Sequence, residues 1–111
     1  ATVNAHARPN VNPVWFLYEN GQVLLSVKPD TGKFRNFRAN PAVALSILDP
    51  RDTHRYLELR GEVIAVELFT TLDFVNVLAL KYTGADFTAG RNGEERYKVT
   101  VRIDSWTAGG N

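Results

Sequence analysis

The sequence predicts a mainly β domain, an antiparallel barrel of six strands with two short helices. Short apolar runs recur between turn residues, only two segments show helical spacing, and 44% of the residues are hydrophobic, as is ordinary for a globular protein. A sheet of this size avoids exposed edges by closing on itself, which favours a barrel over a two-layer sandwich, the alternative architecture. At 111 residues we expect a single domain, 1–111, with one core.

Three strands are predicted before residue 28. Residues 1–5 and 11–18 should pair as a hairpin, because the Pro-Asn pair between them suits a reversal. Asn20-Gly21 is the strongest short hairpin signal, so residues 23–27 should return as the third strand.

The second of these strands contains Pro13, which lacks an amide donor. We therefore expect this strand to be irregular or to lie at a sheet edge close to Val14 and Trp15. Irregular backbone with free amide and carbonyl groups could contact the edge of a heterocycle. Trp15 itself has two open interpretations, packing in the core or forming a platform for a ring-shaped ligand.

The rest of the chain alternates helices and strands. Asp49 to Arg55 and residues 85–95 read as polar loops, Gly61 as a β-bulge, and Thr70 to Asp73 as a capping box. A short helix is predicted after Gly32, ending at Asn40-Pro41, and strands are predicted at 43–49 and 56–67. A second helix should carry an apolar stripe of Phe74, Val77, Leu78 and the Lys81 stem and should stop at Gly84. The last strand is predicted at 97–103.

Composition excludes several classes of function. A net charge of +1 provides no field for binding DNA or RNA. The chain has no cysteine, which fits a cytoplasmic protein, and no apolar run approaches the ~20 residues that span a membrane. His6 and His54 fall in predicted turns without the spacing of metal ligands, so no metal site is predicted.

One local charge asymmetry stands out. Residues 28–38 carry four cations, Lys28, Lys33, Arg35 and Arg38, against the single carboxylate of Asp30. This cluster fits either an anion site at a helix start or an ordinary solvated helix face.

Familiar catalytic motifs are missing. No serine lies in a nucleophile elbow, and no glycine-rich phosphate loop occurs. A phosphate would therefore have to be held by the turn at Thr31-Gly32 and by the charges of Lys33 and Arg35.

Five segments in this order resemble a known family. They are Ala1-Thr2-Val3-Asn4, Asn12-Pro13-Val14-Trp15-Phe16, Lys33-Phe34-Arg35-Asn36, Asn40-Pro41-Ala42-Val43-Ala44-Leu45-Ser46 and Arg55-Tyr56-Leu57-Glu58-Leu59-Arg60-Gly61. Together they are similar to the split β-barrel flavoproteins related to pyridoxamine 5′-phosphate oxidase, and most of all to the flavin/deazaflavin oxidoreductases. Members of that family usually carry a helix before the first strand, so we expect this sequence, which opens at Ala1, to be a trimmed form.

The resemblance implies a cytoplasmic homodimer of split β-barrels with a cofactor at the subunit interface. The cofactor would be coenzyme F420, or alternatively FMN, and the reaction a hydride transfer to a small organic substrate. Because the cofactor carries the difficult chemistry, no catalytic side chain is assigned. A non-catalytic module that binds the same ligand is the other alternative. The cofactor-binding positions implied for this chain are Asn12, Pro13, Val14, Ser26, Val27, Lys28, Lys33, Arg35 and Asn36, with Arg55, Tyr56 and Arg102 as further candidates.

Overall fold

Seven strands form one antiparallel sheet in the order β2-β1-β5-β6-β7-β4-β3, and two helices flank it. The computed structural model describes residues 1–85 and 94–110, so most of the loop predicted at 85–95 lies outside the described residues. The elements are β1 (Thr2–Val3), β2 (Pro9–Asn10), β3 (Leu17–Glu19), β4 (Gln22–Val27), α1 (Gly32–Ala39), β5 (Ala42–Asp49), β6 (Asp52–Phe69), α2 (Asp73–Thr83) and β7 (Arg96–Gly109).

The mainly β prediction is confirmed, with seven strands in place of six. The extra strand arises at the N-terminus, where β1 pairs with the two-residue β2, Val3 opposite Pro9, and not with residues 11–18. Residues 11–16 belong to no strand, and only Leu17–Glu19 of the predicted second strand pairs with β4. Pro13 lacks an amide donor and explains this interruption, and β3 is an edge strand as predicted.

The hairpin between β3 and β4 forms where the sequence predicts it. Asn20 and Gly21 have φ values of 53° and 76°, the left-handed conformations that a two-residue type I′ turn requires.

Three long strands form the body of the sheet. β5 and β6 meet at a tight turn at 50–51, so the polar loop predicted from Asp49 to Arg55 is wrong: β6 begins at Asp52. β7 also runs six residues beyond the predicted end at Ile103. The register shifts between Arg60 and Gly61, which confirms the bulge, and a Cβ at Gly61 would overlap the backbone carbonyl of Arg102.

Helix α1 covers one end of the main core. Its N-cap Thr31 accepts a hydrogen bond from the amide of Phe34 at 3.4 Å, and the helix ends at Asn40, before Pro41. Phe34 and Phe37 face inward. They pack with buried side chains of four strands, Val23, Leu25 and Val27 of β4, Val43 of β5, Leu59 of β6, and Val99 and Val101 of β7. A sheet whose β4, β5, β6 and β7 share one core with a helix is curled around that core.

Helix α2 builds a second, smaller core with Leu24. Phe74 and Leu78 are buried as predicted, but Val77 is 45% exposed, and the stripe is completed by Val75 and Ala79. The predicted capping box does not form, because the N-cap is Leu72, whose side chain has no polar atom to accept a hydrogen bond.

The end of α2 matches its prediction. Gly84 caps the helix with a φ of 76°, the left-handed conformation that glycine adopts without a Cβ penalty. At 8 and 11 residues, neither described helix is long and apolar enough to cross a bilayer.

Candidate functional site

A cavity of about 490 Å³, here called the main cavity, opens between the sheet, α1 and the irregular segment 11–16. Residues 43–48 of β5 border this space, beside the point where β5 pairs with β1 at Val43 and Thr2 and the amide of Ala44 donates to the carbonyl of Ala1. Its other walls are Ala1, Thr2, Val11, Asn12, Pro13, Val14, Phe16, Leu25, Lys33 and Phe37. Most of these side chains are apolar, which suits the face of a flat ring.

A second cavity of about 420 Å³ lies on the other side of the same segment. The two cavities share a wall. Three residues line both of them: Pro13, Val14 and Lys33. The remaining lining residues of the second cavity are Trp15, Ser26, Val75, Leu78 and Arg96. Two cationic side chains and a hydroxyl therefore meet beside the apolar space, a combination suited to an anionic group.

Lys33 is the charged residue common to both cavities. It is the second residue of α1, close to the positive end of the helix dipole, and its side chain is half-buried. Burial lowers the pKa of the Lys33 amine from its ordinary value of 10.5 because the charged form loses solvent. Within 1–85 and 94–110 no carboxylate forms an ion pair with it. An anionic ligand would restore the stabilisation that water supplies to an exposed amine.

The structure brings together five of the predicted cofactor-binding residues. Asn12, Pro13, Val14 and Lys33 line the main cavity, and Ser26 lines the second. Arg35 and Lys28 lie outside both: Arg35 is exposed and donates to the carbonyl of Asp30 at 3.2 Å.

Two predicted residues occupy the interior. Val27 is 1% exposed and belongs to the main core. Asn36 is buried, and its side-chain amide donates to the hydroxyl of Thr2 at 2.8 Å, which ties α1 to β1 and holds Thr2 in the cavity wall.

The three further candidates lie on β6 and β7, and none of them lines either cavity. Arg55 is exposed and lies 4.0 Å from a carboxylate oxygen of Asp49. Tyr56 lines a small cavity beside the main one, and the two share Ala1, Val11, Ala44, Leu45 and Ser46. Arg102 is exposed on β7 and lines neither cavity.

The guanidinium of Arg102 is engaged by two carboxylates. It contacts Asp104 at 2.7 Å and Glu62 at 3.3 Å. Its hydrogen bond holds the pKa of the Asp104 carboxyl below its usual range. As cofactor contacts, these positions and those of the preceding paragraphs stay predictions.

The sequence leaves the role of Trp15 undecided and does not single out Arg96, and both residues line the second cavity. Trp15 packs against the second core and stacks on Tyr82, with ring centroids 5.4 Å apart and planes 6° from parallel, while also lining the second cavity. Arg96 was not predicted. It starts β7 directly before Tyr97, which pairs with Val27, so only the strand pairing brings it beside the charge cluster.

Among the described residues, we find no group of side chains arranged for acid–base catalysis or for metal binding. His54 is exposed beside Asp52, its Nδ1 3.3 Å from that carboxylate, and no three potential ligands in 1–85 and 94–110 group as a metal site. The arrangement can bind and orient a planar anionic molecule in a largely apolar space.

Comparison with known proteins places this geometry in a family. A solved structure described as "F420 Reductase" superposes with a TM-score of 0.87 at 32% identity, covering 96% of this chain and 84% of the other. A conserved hypothetical protein from Mycobacterium tuberculosis gives 0.71 at 17% identity, covering 96% and 72%. HupZ from Group A Streptococcus gives 0.66 at 14%, covering 99% and 82%, so these last two show the fold alone.

Among curated proteins, no sequence matches this chain significantly. The family model described as "Pyridoxamine 5′-phosphate oxidase" matches residues 1–100 of the 111. Since this match spans nearly the whole domain, and agrees with the split-barrel resemblance of the sequence, the chain belongs to the pyridoxamine 5′-phosphate oxidase family.

Proposed function

We propose that this protein is an oxidoreductase that binds a flavin-type cofactor, with coenzyme F420 favoured over FMN, and transfers hydride to a small organic substrate. The observation that carries the proposal is the apolar main cavity with Lys33 at its junction with a second, cationic cavity. The 32% identity to the structure described as "F420 Reductase", over 96% of this chain, favours the deazaflavin.

The residues present fit such a cofactor. Pro13, Val14 and Phe16 offer an apolar wall for a ring system, and Asn12 adds a polar side chain beside it. Lys33 would pair with the phosphate, with Ser26 and Arg96 close by in the second cavity. When bound, the cofactor supplies the hydride chemistry.

The protein's own residues then act by binding and shielding. The apolar walls exclude water from the ring, and the charge of Lys33 sets its direction by holding the anionic arm at one end of the cavity. No described side chain has to exchange a proton in this scheme.

We further propose that the working unit is a homodimer. Val11, Leu48 and Tyr56 lie at or beside the mouth of the main cavity with 82%, 54% and 41% of their surfaces exposed. A second copy covering these side chains would remove apolar surface from water and close the cavity. Sedimentation velocity on the purified chain tests this: a dimer is expected, and Leu48→Asp should shift it towards monomer.

Ligand titration is the direct test of cofactor binding. Oxidised coenzyme F420 and FMN are each titrated into the wild type, Lys33→Met and Lys28→Met. The Lys28 variant is the matched control, because it removes a charge from the same cluster outside both cavities. Since a hydrogen bond to a charged group contributes about 1.5–3 kcal/mol, Lys33→Met should weaken binding about 10- to 160-fold. Lys28→Met should have little effect.

The outcomes separate the alternatives. Binding of neither cofactor by the folded wild type would refute the proposal, and equal losses in both variants would refute the role of the cavity. Tight FMN binding with weak F420 binding favours the FMN alternative. Tight binding without consumption of reduced cofactor over a panel of electrophilic substrates favours a binding module.

A further inference from the structure

The irregular segment 11–16 forms a wall of both cavities yet belongs to no strand. Pro13 provides no amide donor for a neighbouring strand. Such a segment needs other contacts to hold it in one place, because backbone without ladder partners opens readily.

The last turn of α2 provides those contacts at Phe16. The amide of Phe16 donates to the hydroxyl of Tyr82 at 3.2 Å, and its carbonyl accepts from the amine of Lys81 at 2.6 Å. Two consecutive side chains of a helix, 65 and 66 positions away, thus satisfy both backbone polar groups of Phe16.

The same two side chains also hold the rings of the segment. The Lys81 amine lies 3.7 Å from the centroid of the Phe16 ring and 4.9 Å from that of Tyr82. Tyr82 in turn stacks on Trp15 with centroids 5.4 Å apart. The helix end that carries both residues is anchored by the buried Leu78 and terminated by Gly84.

We propose that Lys81 and Tyr82 are positioning residues for the cavity wall, so that the end of α2 sets how tightly the proposed cofactor binds. The inference rests on the proposed function for the identity of the ligand, and on the geometry alone for the positioning. Phe16 is fixed directly, and Val14 and Pro13, which line both cavities, are only two and three residues away.

Amide hydrogen exchange tests the positioning without any ligand. Tyr82→Phe retains the stacking on Trp15 but removes the acceptor of the Phe16 amide. Exchange at that amide should become about 3- to 10-fold faster, the factor expected for one lost hydrogen bond. Lys98→Met is the control: the Lys98 amine also lies over an aromatic ring, 5.4 Å from that of Phe74, but that ring belongs to α2 and not to the segment.

Affinity for FMN or oxidised F420, measured well below the unfolding temperature, tests the consequence. Lys81→Met should weaken binding about 10-fold, the loss of a hydrogen bond made by a charged donor, and Lys81→Arg should restore most of it. Wild-type exchange and affinity in Tyr82→Phe and Lys81→Met would overturn the inference, as would a lowered melting temperature with unchanged affinity. If the wild type binds neither ligand, the proposed function fails by itself, and the exchange rates still decide whether α2 positions the segment.

Discussion

The hydrogen bond between Asn36 and Thr2 offers a test of whether Asn36 is a structural or a ligand-binding residue. Both residues are buried, at 8% and 6% exposure, and the donor nitrogen lies 2.8 Å from the acceptor hydroxyl. Thr2→Val removes the acceptor with almost no change of volume and leaves the Asn36 amide in the interior without it. Leaving a buried polar group without its hydrogen-bond partner lowers the free energy of unfolding by about 1–3 kcal/mol.

The size of the expected effect follows from the size of the domain. For about 100 residues, 1 kcal/mol shifts the melting temperature by roughly 4 °C, so Thr2→Val should lower it by about 4–12 °C. Asn36→Leu leaves the Thr2 hydroxyl, a single polar group in the wall of the main cavity, and should cost less. In the double variant both partners are apolar, and the coupling energy of the cycle should be about 1 kcal/mol.

Thermal unfolding followed by far-ultraviolet circular dichroism, with FMN and F420 titrations of each variant, completes the experiment. Single variants that melt with the wild type, combined with loss of ligand binding in Asn36→Leu alone, would refute the structural assignment. Asn36 would then be the cofactor contact that the sequence predicts.

Three further outcomes are expected. Gly61→Ala should destabilise the protein by about 1–3 kcal/mol or more in urea denaturation, because its Cβ would meet the rigid carbonyl of Arg102; an unchanged midpoint would contradict the close approach. Leu78→Ala should cost about 2–5 kcal/mol, since Leu78 is 1% exposed in the second core, and an effect below this range would indicate that the site collapses. Affinity for a phosphate-bearing ligand should fall as the pH rises towards 10.5, because only the protonated Lys33 amine pairs with the phosphate and its pKa in the free protein lies below that value. Isothermal titration calorimetry should find this decrease of affinity with pH in the wild type and not in Lys33→Met.

Local chemistry accounts for the elements predicted correctly. Asn20-Gly21 forms its turn because both residues tolerate positive φ, and α1 ends at the Asn-Pro pair, as predicted. These signals act within a few residues, so they can be recognised before any tertiary contact is known.

The errors occur where contacts between elements override the preference of the local sequence. Residues 52–55 are polar and suit a loop, but β5 extends the sheet as far as Asp49 and β6 pairs with it from Asp52. Residues 11–16 are mostly apolar and suit a strand, but Pro13 interrupts the strand and side chains of α2 take the place of strand partners at Phe16. The first partner is the preceding strand across a two-residue turn, whereas the second lies 65 residues further along the chain.

For the site, the sequence by itself determined the local requirements: a cationic helix start at Lys33, an interrupted strand at Pro13, and a mainly β domain. Only the tertiary structure decided which charges share a cavity. It buries Asn36 against Thr2, leaves Arg35 in solvent, and brings Arg96 beside Lys33. The physical reason is that composition and spacing act along the chain, whereas a cavity is formed by the packing of segments that are distant in sequence.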